Sequence, residues 1–253
     1  MSVAHTYLFA VGNSTTTWGN LPKLHGVMRD VDKIFDALVD GGSGLGLADR
    51  LRSVKLLDKG SREVKKYWGE FIEAVEIDAF VVFYFAGHGA VVGENDLRLL
   101  LADSESSRKD DSTLWVLQVI RALENKRVAE WAVILDCCES GEATRDRAIQ
   151  GARNKTNRGS LIACATSSGS AWENPEHGAC FTSRLTEAIR TGSCMPPGAK
   201  FVDLLHAASW AKDRLPEPRP IFDHWGNADL RVARLRGQRT TSLSKLSGTC
   251  QRF

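Results

Sequence analysis

Trp131-Ala-Val-Ile-Leu-Asp-Cys-Cys-Glu-Ser-Gly141 is the stretch of the sequence that decides the fold. Its apolar residues run directly into Asp136, Cys137 and Cys138, and the run ends at Ser140-Gly141. Continuous apolar runs of this length are typical of strands buried on both faces of a parallel sheet. Because ligands of α/β sheets bind beyond the carboxyl ends of the strands, we expect the chemistry of this protein here.

A second stretch, Ala79-Phe-Val-Val-Phe-Tyr-Phe-Ala-Gly-His-Gly89, is also an apolar run, and it ends in His88 between two glycines. Along the chain, such runs alternate with helical patterns, the clearest of which start at Val27 and at Ser61, a candidate N-cap. This alternation predicts an α/β sandwich with a largely parallel sheet. In such a sheet the two strand ends lie on one edge, so we expect His88 within reach of the two cysteines.

The composition excludes several classes of protein. The chain has 253 residues, of which 43% are apolar and 25% charged, as in ordinary soluble globular proteins. A net charge of +2 gives no reason to expect a nucleic-acid or membrane partner, and no apolar run is long enough to span a bilayer. The N-terminus lacks a signal-peptide pattern and the six cysteines lack framework spacing, so we predict a cytoplasmic protein, in which a free reactive thiol can survive.

Cysteine and histidine at neighbouring strand ends suggest nucleophilic catalysis. A histidine can take the proton of a thiol and stabilise the thiolate that forms. The amides of Gly89 and of the nucleophile can donate to the oxyanion of an acyl-transfer intermediate. The alternative is that His88 is a structural histidine and both cysteines are small core residues. A metal site is a further alternative, although the Cys-x-x-Cys spacing of such sites is absent.

The two strand ends resemble a known family. Phe83-Tyr-Phe-Ala-Gly-His-Gly89 followed by Leu135-Asp-Cys-Cys-Glu-Ser-Gly141 is similar to the His-Gly and Asp-x-Cys-x-Ser-Gly motifs of the caspase-like cysteine peptidases, in particular the metacaspase and bacterial caspase-homologue branch. The similarity covers roughly Tyr7 to Phe222. It implies a caspase-like α/β/α sandwich with a central, mostly parallel six-stranded sheet. It also implies that His88 is the base and Cys138 the nucleophile, with the preceding cysteine at the variable position of the motif.

A third stretch, residues 163–182, is similar to the segment that lines the specificity pocket of caspases. In caspases an arginine follows the tryptophan of this segment and holds a substrate aspartate. In this chain Glu173 follows Trp172. A carboxylate at this position, with Asp136 as a second, favours substrates with Arg or Lys at the cleaved position. The alternative for Glu173 is an ordinary solvated carboxylate of a loop.

We predict a single peptidase domain over residues 1–236, followed by a basic, disordered tail over residues 237–253. Within the domain, residues 142–158 have almost no apolar content and are predicted to form a flexible loop. The resemblance implies that this segment is a processing linker between a large and a small subunit. The candidate cleavage sites are Arg145, Arg147, Arg153, Lys155 and Arg158. The alternative is a solvated loop that is not cut.

No cofactor is expected, with calcium as the one alternative. Some metacaspases bind calcium through acidic residues near the corresponding loops. Four aspartates are loosely placed for this role: Asp103, Asp110, Asp111 and Asp146. Their spacing differs from the expected pattern, and Asp111 or Ser112 also fits as the N-cap of a helix that runs to Leu123.

These features predict a cysteine endopeptidase that cleaves protein substrates after Arg or Lys in regulated proteolysis, such as bacterial defence or cell death. We expect activation by cleavage within residues 142–158. A separate activating or recruiting protein is expected as well, because the sequence shows no recruitment domain. The alternative is a catalytically silent caspase-like interaction module. Such modules lose the cysteine or the histidine, and this sequence keeps both.

Overall fold

The computed structural model describes residues 5–39, 46–93, 96–145, 149–150, 159–164, 172–174, 178–215, 220–225, 230–235 and 251–252. The strands are β1 (His5–Gly12), β2 (Val54–Leu57), β3 (Ala79–Gly87), β4 (Gly89–Val92), β5 (Asp96–Leu100), β6 (Thr113–Trp115), β7 (Glu130–Cys137), β8 (Gly159–Ala163), β9 (Trp172–Asn174), β10 (Gly178–Ala179), β11 (Phe201–Asp203), β12 (Ile221–Trp225), β13 (Arg231–Arg234) and β14 (Gln251–Arg252). The helices are α1 (Val27–Leu38), α2 (Ser61–Ala74), α3 (Lys109–Ser112), α4 (Val116–Lys126), α5 (Cys180–Thr191) and α6 (Leu204–Lys212), with 3-10 helices at Ser106–Arg108 and Ser140–Thr144. None of the helices in these ranges is long and apolar enough to cross a lipid bilayer.

Six strands form the central sheet in the order β12-β8-β7-β3-β1-β2. Five of them are parallel, and β12 closes one edge antiparallel to β8. The mostly parallel six-stranded sheet predicted from the sequence is thus confirmed. Its central pair, β3 and β7, stays in register from Phe80 opposite Glu130 to Gly87 opposite Cys137. The two strands therefore end together at one edge, as the sequence predicts.

Alternation along β7 shows how the sheet is covered on both faces. Val133, Leu135 and Cys137 pack in one apolar cluster with residues of α2 and α4. Ala132 and Ile134 pack in a second cluster with residues of α1, α5 and α6. Because both faces are buried, the strand has a continuous apolar sequence rather than an alternating one. The three layers form the predicted α/β/α sandwich.

Three smaller sheets surround this core within the described residues: β4-β5-β6, β11-β13 and β10-β9-β14. The last includes β14, which lies within residues 237–253 and pairs with β9, while the disorder of that segment as a whole stays a prediction. A two-residue strand in a tail rich in serine and threonine has no local pattern of its own. Its strand character comes from pairing with β9, which lies 78 positions earlier in the chain.

The predicted helix starts need two corrections. Gly60 is the N-cap residue of α2, and Ser61 is its first residue. The Asp103 carboxylate accepts hydrogen bonds from the Ser61 amide at 2.6 Å and from its hydroxyl at 3.0 Å, so this helix is capped from outside its own sequence. The next long helix, α4, begins at Val116 rather than at residue 111 or 112, because Thr113–Trp115 pair with β5 as strand β6.

The predicted flexible loop over residues 142–158 is packed at its start. Ser140–Thr144 form a 3-10 helix in which Ala143 is fully buried, and Ile149 is also buried. Most of the remainder of this segment lies outside the described residues. The chain that follows the strand end at Cys137 therefore leaves the sheet through an ordered turn.

Candidate active site

The two predicted catalytic residues follow directly after the central strands of the sheet. Gly87 and Cys137 are the last paired residues of β3 and β7, so His88 and Cys138 are each the next residue along the chain. Neighbouring strands of a sheet lie about 4.8 Å apart, which places these two backbone segments side by side at the carboxyl edge. The structure thus brings both residues to one part of the molecule.

His88 is held by a backbone carbonyl group. Its Nε2 lies 2.7 Å from the carbonyl oxygen of Pro22, and the residue is 7% exposed. Because a carbonyl oxygen only accepts hydrogen bonds, Nε2 carries the proton in this contact. The other ring nitrogen, Nδ1, is then the basic nitrogen of the neutral imidazole. The sequence does not link Pro22 to this histidine, since the contact joins the loop before α1 to the end of β3.

Gly89 lies against the backbone of the cysteine segment. A Cβ atom at position 89 would be 2.6 Å from the Cys138 carbonyl oxygen and 3.1 Å from the Cys137 sulfur. Side chains do not approach a backbone oxygen this closely, so only glycine fits without a shift of one chain segment. This close approach explains the glycine directly after the histidine. It also puts the two predicted oxyanion donors, the amides of Gly89 and Cys138, in adjacent segments.

The two neighbouring thiols have opposite environments. Cys137 is fully buried, and burial raises the pKa of its thiol well above the ordinary value, with the charges of Cys138, Asp136 and Glu139 adding to the shift. Cys138 is half-buried, and its thiol is not in a disulfide. Cys137 is the last residue of β7 and belongs to the apolar cluster of Val133 and Leu135, whereas Cys138 lies beyond the strand in a turn. Cys137 is therefore a core residue, whereas Cys138 is partly exposed.

Glu139 turns the chain away from the sheet in a strained conformation. Its φ of 56° lies in the left-handed region that residues other than glycine rarely adopt. Its Oε2 accepts a hydrogen bond from the Val91 amide at 3.2 Å, which ties β4 to the segment after Cys138. Backbone strain beside a reactive residue is common at functional sites, where the surrounding structure holds it in place.

Asp136 is a buried carboxylate on the face of β7 that packs against α1 and α5. Its Oδ2 accepts a hydrogen bond from the Thr182 hydroxyl, which also lies 2.9 Å from the Tyr84 hydroxyl. Burial raises the pKa of both Tyr84 and Cys164, and the charge of Asp136 is the next cause in each case. Asp136 thus acts on its neighbours from inside the protein rather than from a solvated surface.

A second buried carboxylate, that of Asp30, is not among the site residues predicted from the sequence. It lies in the first turn of α1, is 2% exposed, and accepts a hydrogen bond from the Ala179 amide at 2.9 Å. Its carboxylate also occupies the position that a Cβ atom at Gly178 would take. The sequence does contain a sign that Asp30 is buried, because this residue falls between Val27 and Val31 on the apolar face of the helix.

Lys33 supplies a cation beside these carboxylates. Its Nζ lies 3.8 Å from Asp30 Oδ1 and 2.8 Å from the Ser183 hydroxyl oxygen. Burial lowers the pKa of Lys33, and the charges of Asp30 and Asp136 oppose that shift. Both carboxylates therefore act on the same ammonium group.

The predicted pocket residues Trp172 and Glu173 form the first two positions of β9. This strand pairs antiparallel with β10, with Glu173 opposite Ala179. β10 in turn donates the Ala179 amide to the buried carboxylate of α1. The segment is thus one strand away from a buried carboxylate, while the role of Glu173 stays a prediction.

The aspartates considered for calcium have other partners or lie apart. Asp103 caps α2, Asp110 pairs with Arg98 at 3.0 Å, and Asp111 is exposed. Asp146 lies outside the described residues. Within the ranges that the structure describes, no three His, Cys, Asp or Glu side chains are grouped so that they could hold a metal ion.

Arg145 is the one candidate cleavage site that the described residues include. It is exposed and follows directly after the 3-10 helix Ser140–Thr144. The remaining candidates lie outside the described residues: Arg147, Arg153, Lys155 and Arg158.

One cysteine departs from the expectation that no disulfide framework exists. Cys180, the first residue of α5, is disulfide-bonded. The sixth cysteine of the sequence, Cys250, lies outside the described residues. The thiols that the structure describes as free are those of Cys137, Cys138, Cys164 and Cys194. Cysteine spacing along the chain carries no sign of a bond made by tertiary contact.

Comparison with known proteins agrees with this architecture. Residues 9–210 match the caspase domain family, peptidase C14. Among solved structures, caspase-1 from Spodoptera frugiperda is similar, with a TM-score of 0.63 and 13% sequence identity over 96% of this chain and 94% of that chain. At this identity the similarity shows the fold alone. No curated protein sequence matches the chain.

Proposed function

The chain belongs to the caspase family of peptidases, and on that premise we propose that it is a cysteine endopeptidase with Cys138 as nucleophile and His88 as base. The observation that carries this proposal is the register of β3 and β7, in which Gly87 pairs with Cys137. Both proposed catalytic residues are one position beyond that pair, at the carboxyl edge of the sheet. Of the two adjacent thiols, only the half-buried one is within reach of a substrate.

The proposed reaction begins at the thiol of Cys138. Nδ1 of His88 takes its proton, and the imidazolium keeps its hydrogen bond to the Pro22 carbonyl oxygen, which stabilises the positive charge. The thiolate attacks the scissile carbonyl of the substrate, and the amides of Gly89 and Cys138 donate to the oxyanion. His88 then protonates the leaving amine. Water, deprotonated by the same nitrogen, hydrolyses the acyl-enzyme and releases Cys138.

Two buried carboxylates support a preference for Arg or Lys at the cleaved position. Asp136 lies two residues before the proposed nucleophile, and Asp30 accepts a hydrogen bond from β10, the strand next to β9. Both act on the ammonium group of Lys33. Because buried carboxylates are unfavourable without a cation, a region that already attracts one lysine also favours a basic substrate side chain. Glu173 and Trp172 are the further pocket residues in this proposal, supported by the pairing of β9 with β10.

The direct test is hydrolysis of three fluorogenic peptides that differ only in the residue before the scissile bond, which is Arg, Lys or Asp. We expect turnover of the Arg and Lys peptides by the unaltered protein and none by Cys138→Ala or His88→Ala. Cys194→Ala, which removes another half-buried free thiol, should keep full activity. Turnover of the Asp peptide alone would refute the proposed pocket. Repeating the assay with calcium and with a chelator decides whether calcium is needed.

Activation by cleavage within residues 142–158 is the second part of the proposal, and the exposure of Arg145 beside an ordered turn supports it. Intact-mass analysis of the purified protein beside Cys138→Ala tests it. We expect fragments that end at one of the basic residues of this segment, and only in the active protein. An active enzyme that stays uncut would instead point to a separate activating or recruiting protein. No turnover in either form, even after the segment is cut, would identify a silent interaction module.

Regulated proteolysis in the cytoplasm, in bacterial defence or cell death, is the setting that we propose. It fits an enzyme whose substrates are proteins and whose activity depends on a cleavable segment. In cells in which the unaltered protein causes defence or cell death, we expect Cys138→Ala to abolish that effect. We expect Cys194→Ala to keep it.

A further inference from the structure

The strand that follows His88 has one edge without a neighbouring strand among the described residues. β4 is the first strand of the sheet β4-β5-β6, and it pairs antiparallel with β5 along its inner edge. Residues of an antiparallel pair alternate along the strand. One residue exchanges hydrogen bonds with the partner strand, and the next directs its amide and carbonyl groups away from it. The outer edge of β4 therefore carries every second amide of the strand.

The register shows which amides lie on this outer edge. The Leu100 amide donates to the His88 carbonyl oxygen at 3.0 Å, so position 88 is a hydrogen-bonding position toward β5. By alternation, the amides of Gly89 and Val91 are then directed outward. The contact of Val91 agrees, because its amide donates at 3.2 Å to Glu139 Oε2, which lies outside this sheet. The amide of Gly89, the proposed oxyanion donor, is thus on the same edge as an amide that Glu139 binds.

Glu139 reaches this edge from the turn that contains the proposed nucleophile. It follows directly after Cys138, and its φ of 56° redirects the chain there. The same turn approaches β4 at a second point, since a Cβ atom at Gly89 would lie 2.6 Å from the Cys138 carbonyl oxygen. The turn and the strand are therefore packed together at residue 89 and joined by a hydrogen bond at residue 91. Two contacts along one strand fix its angle to the turn, whereas a single contact would let the strand pivot.

We propose that Glu139 is a positioning residue whose carboxylate holds the outer edge of β4, so that the Gly89 amide is directed at the oxyanion. This inference rests on the proposed function, because the oxyanion forms only if Cys138 attacks a carbonyl group. Glu139 acts through the Val91 amide and not on the reacting atoms. A donor aimed at the oxyanion stabilises the transition state more than the bound substrate. Loss of the Glu139 acceptor should therefore lower kcat and leave KM unchanged.

Two substitutions separate the hydrogen bond of Glu139 from its charge and its backbone conformation. Glu139→Gln keeps an oxygen that can accept from the Val91 amide and removes only the charge. Glu139→Gly removes the acceptor and adopts a positive φ without strain. On the Arg fluorogenic peptide, we expect Glu139→Gly to lower kcat about thirtyfold at unchanged KM, less than the hundredfold or more that loss of an oxyanion donor costs. Glu139→Gln should keep kcat within about threefold of the unaltered protein, because the acceptor remains.

Arg127→Gly is the matched control. Arg127 is exposed at the C-terminal end of α4 and has a φ of 59°, so glycine relieves the same backbone conformation at a position outside the site. It should leave kcat and KM unaltered, and thermal unfolding shows that each variant is folded. Turnover by the unaltered protein with equal kcat in Glu139→Gly would overturn the inference and leave the proposed function standing. Equal losses in Glu139→Gly and Glu139→Gln would also overturn it, since the charge alone would then matter. If the unaltered protein hydrolyses no peptide, the proposed function fails, and the positioning role fails with it.

Two further measurements do not depend on turnover. Alkylation of Cys138 by iodoacetamide needs the thiolate but forms no oxyanion, so its rate in Glu139→Gly should equal that of the unaltered protein. Hydrogen exchange of the Val91 amide, followed by NMR, should be at least about tenfold faster in Glu139→Gly and unchanged in Glu139→Gln. Alkylation slowed as much as kcat would place the effect on the thiol and overturn the inference. Unchanged exchange at Val91 would overturn it as well, because the hydrogen bond would then not hold the strand.

Discussion

A polar triad near the amino edge of the central sheet contrasts with two polar groups at its carboxyl edge. Near the amino edge, the Tyr7 hydroxyl donates to Glu76 Oε2 at 2.6 Å, and Arg52 donates to both residues. Each of these three side chains thus has a hydrogen-bond partner within the triad. At the carboxyl edge, Cys138 is half-exposed, and Asn13 Oδ1 is buried without a hydrogen-bond partner among the described residues.

The amino edge of the sheet thus contributes mainly to stability, and the carboxyl edge provides the groups for chemistry. Paired polar groups lower the free energy of the folded state, whereas accessible or unpaired groups leave capacity for a ligand. The same strands supply both edges, because β1 and β3 begin at the amino side and end at the carboxyl side. Substitutions at the carboxyl edge should therefore change activity, and substitutions at the amino edge should change only stability.

The largest effect is expected for the two adjacent thiols of the carboxyl edge. Cys138→Ala should reduce kcat/KM at least about a thousandfold with little change in unfolding temperature, because it removes only the nucleophile. Cys137→Ala should keep most activity and lower the free energy of unfolding by about 1–2 kcal/mol, because it leaves a cavity in the core. Peptide kinetics and denaturant unfolding measure both. If Cys137→Ala alone abolishes turnover, the assignment of the nucleophile is wrong by one residue.

The second effect concerns the close approach at Gly89. Gly89→Ala would push the segment after His88 away from the Cys138 carbonyl oxygen, and a displacement of about 1 Å costs on the order of a hundredfold in rate. Gly69→Ala is the matched control, since nothing lies within 4 Å of a Cβ atom there. In the helix α2 this control should raise stability by up to about 1 kcal/mol and leave kcat alone. Equal rates for both variants would remove the close approach from the mechanism.

The third effect tests the carboxylate of α1. Asp30→Asn keeps an oxygen for the Ala179 amide but removes the charge, so kcat/KM for Arg peptides should fall about thirtyfold, in line with the loss of roughly 2 kcal/mol from a charged hydrogen bond. Asp32→Asn, on the exposed side of the same helix where Asp32 pairs with Lys55, serves as control and should change nothing. Kinetics on neutral peptides should be unaffected in both. A uniform loss across all peptides would mean that Asp30 supports the fold alone.

The smallest effect is expected at the amino edge, and only on stability. Hydrogen bonds from Tyr7 and then from Arg52 lower the pKa of Glu76 from its ordinary value of 4.5 to about 2. Because the folded-state pKa is the lower one, this stabilisation is present above pH 4.5 and is lost as the pH falls toward 2. At this partly exposed position, Glu76→Gln should cost about 1 kcal/mol at pH 7 and almost nothing at pH 2. Activity per folded molecule should stay constant.

Urea unfolding at a series of pH values, with Glu73→Gln as the exposed control, measures this difference. A loss of activity in folded Glu76→Gln protein would contradict the separation of the two edges. So would a penalty that does not depend on pH.

Local pattern explains why much of the fold and the centre of the site were predictable. β3 and β7 are long apolar runs, and their motif residues follow directly at the strand ends, so pairing alone brings His88 and Cys138 to one edge. These features need no knowledge of distant contacts.

The features that were missed all depend on distant contacts. Asp30 appears in sequence as one acidic residue in an amphipathic helix, and only the Ala179 amide, 149 positions away, gives it a buried role. Pro22 supplies a carbonyl oxygen, which every residue has, so no residue type could mark it. β14 consists of two residues whose strand character comes from β9 alone. Backbone partners of this kind have no signature in a single sequence.

The hydrogen bond between Asp30 and Ala179 has a consequence for how such an enzyme could acquire a new specificity. In the proposed pocket Asp30 both attracts the substrate's charge and binds the Ala179 amide, so a substitution made for one purpose would also affect the other. A lineage or a designer seeking cleavage after acidic residues would have to replace Asp30 by a residue that still accepts from that amide. Such a change would destabilise the protein, and stabilising substitutions elsewhere in the chain could offset the loss. The stability of the core would therefore limit how quickly substrate preference can change.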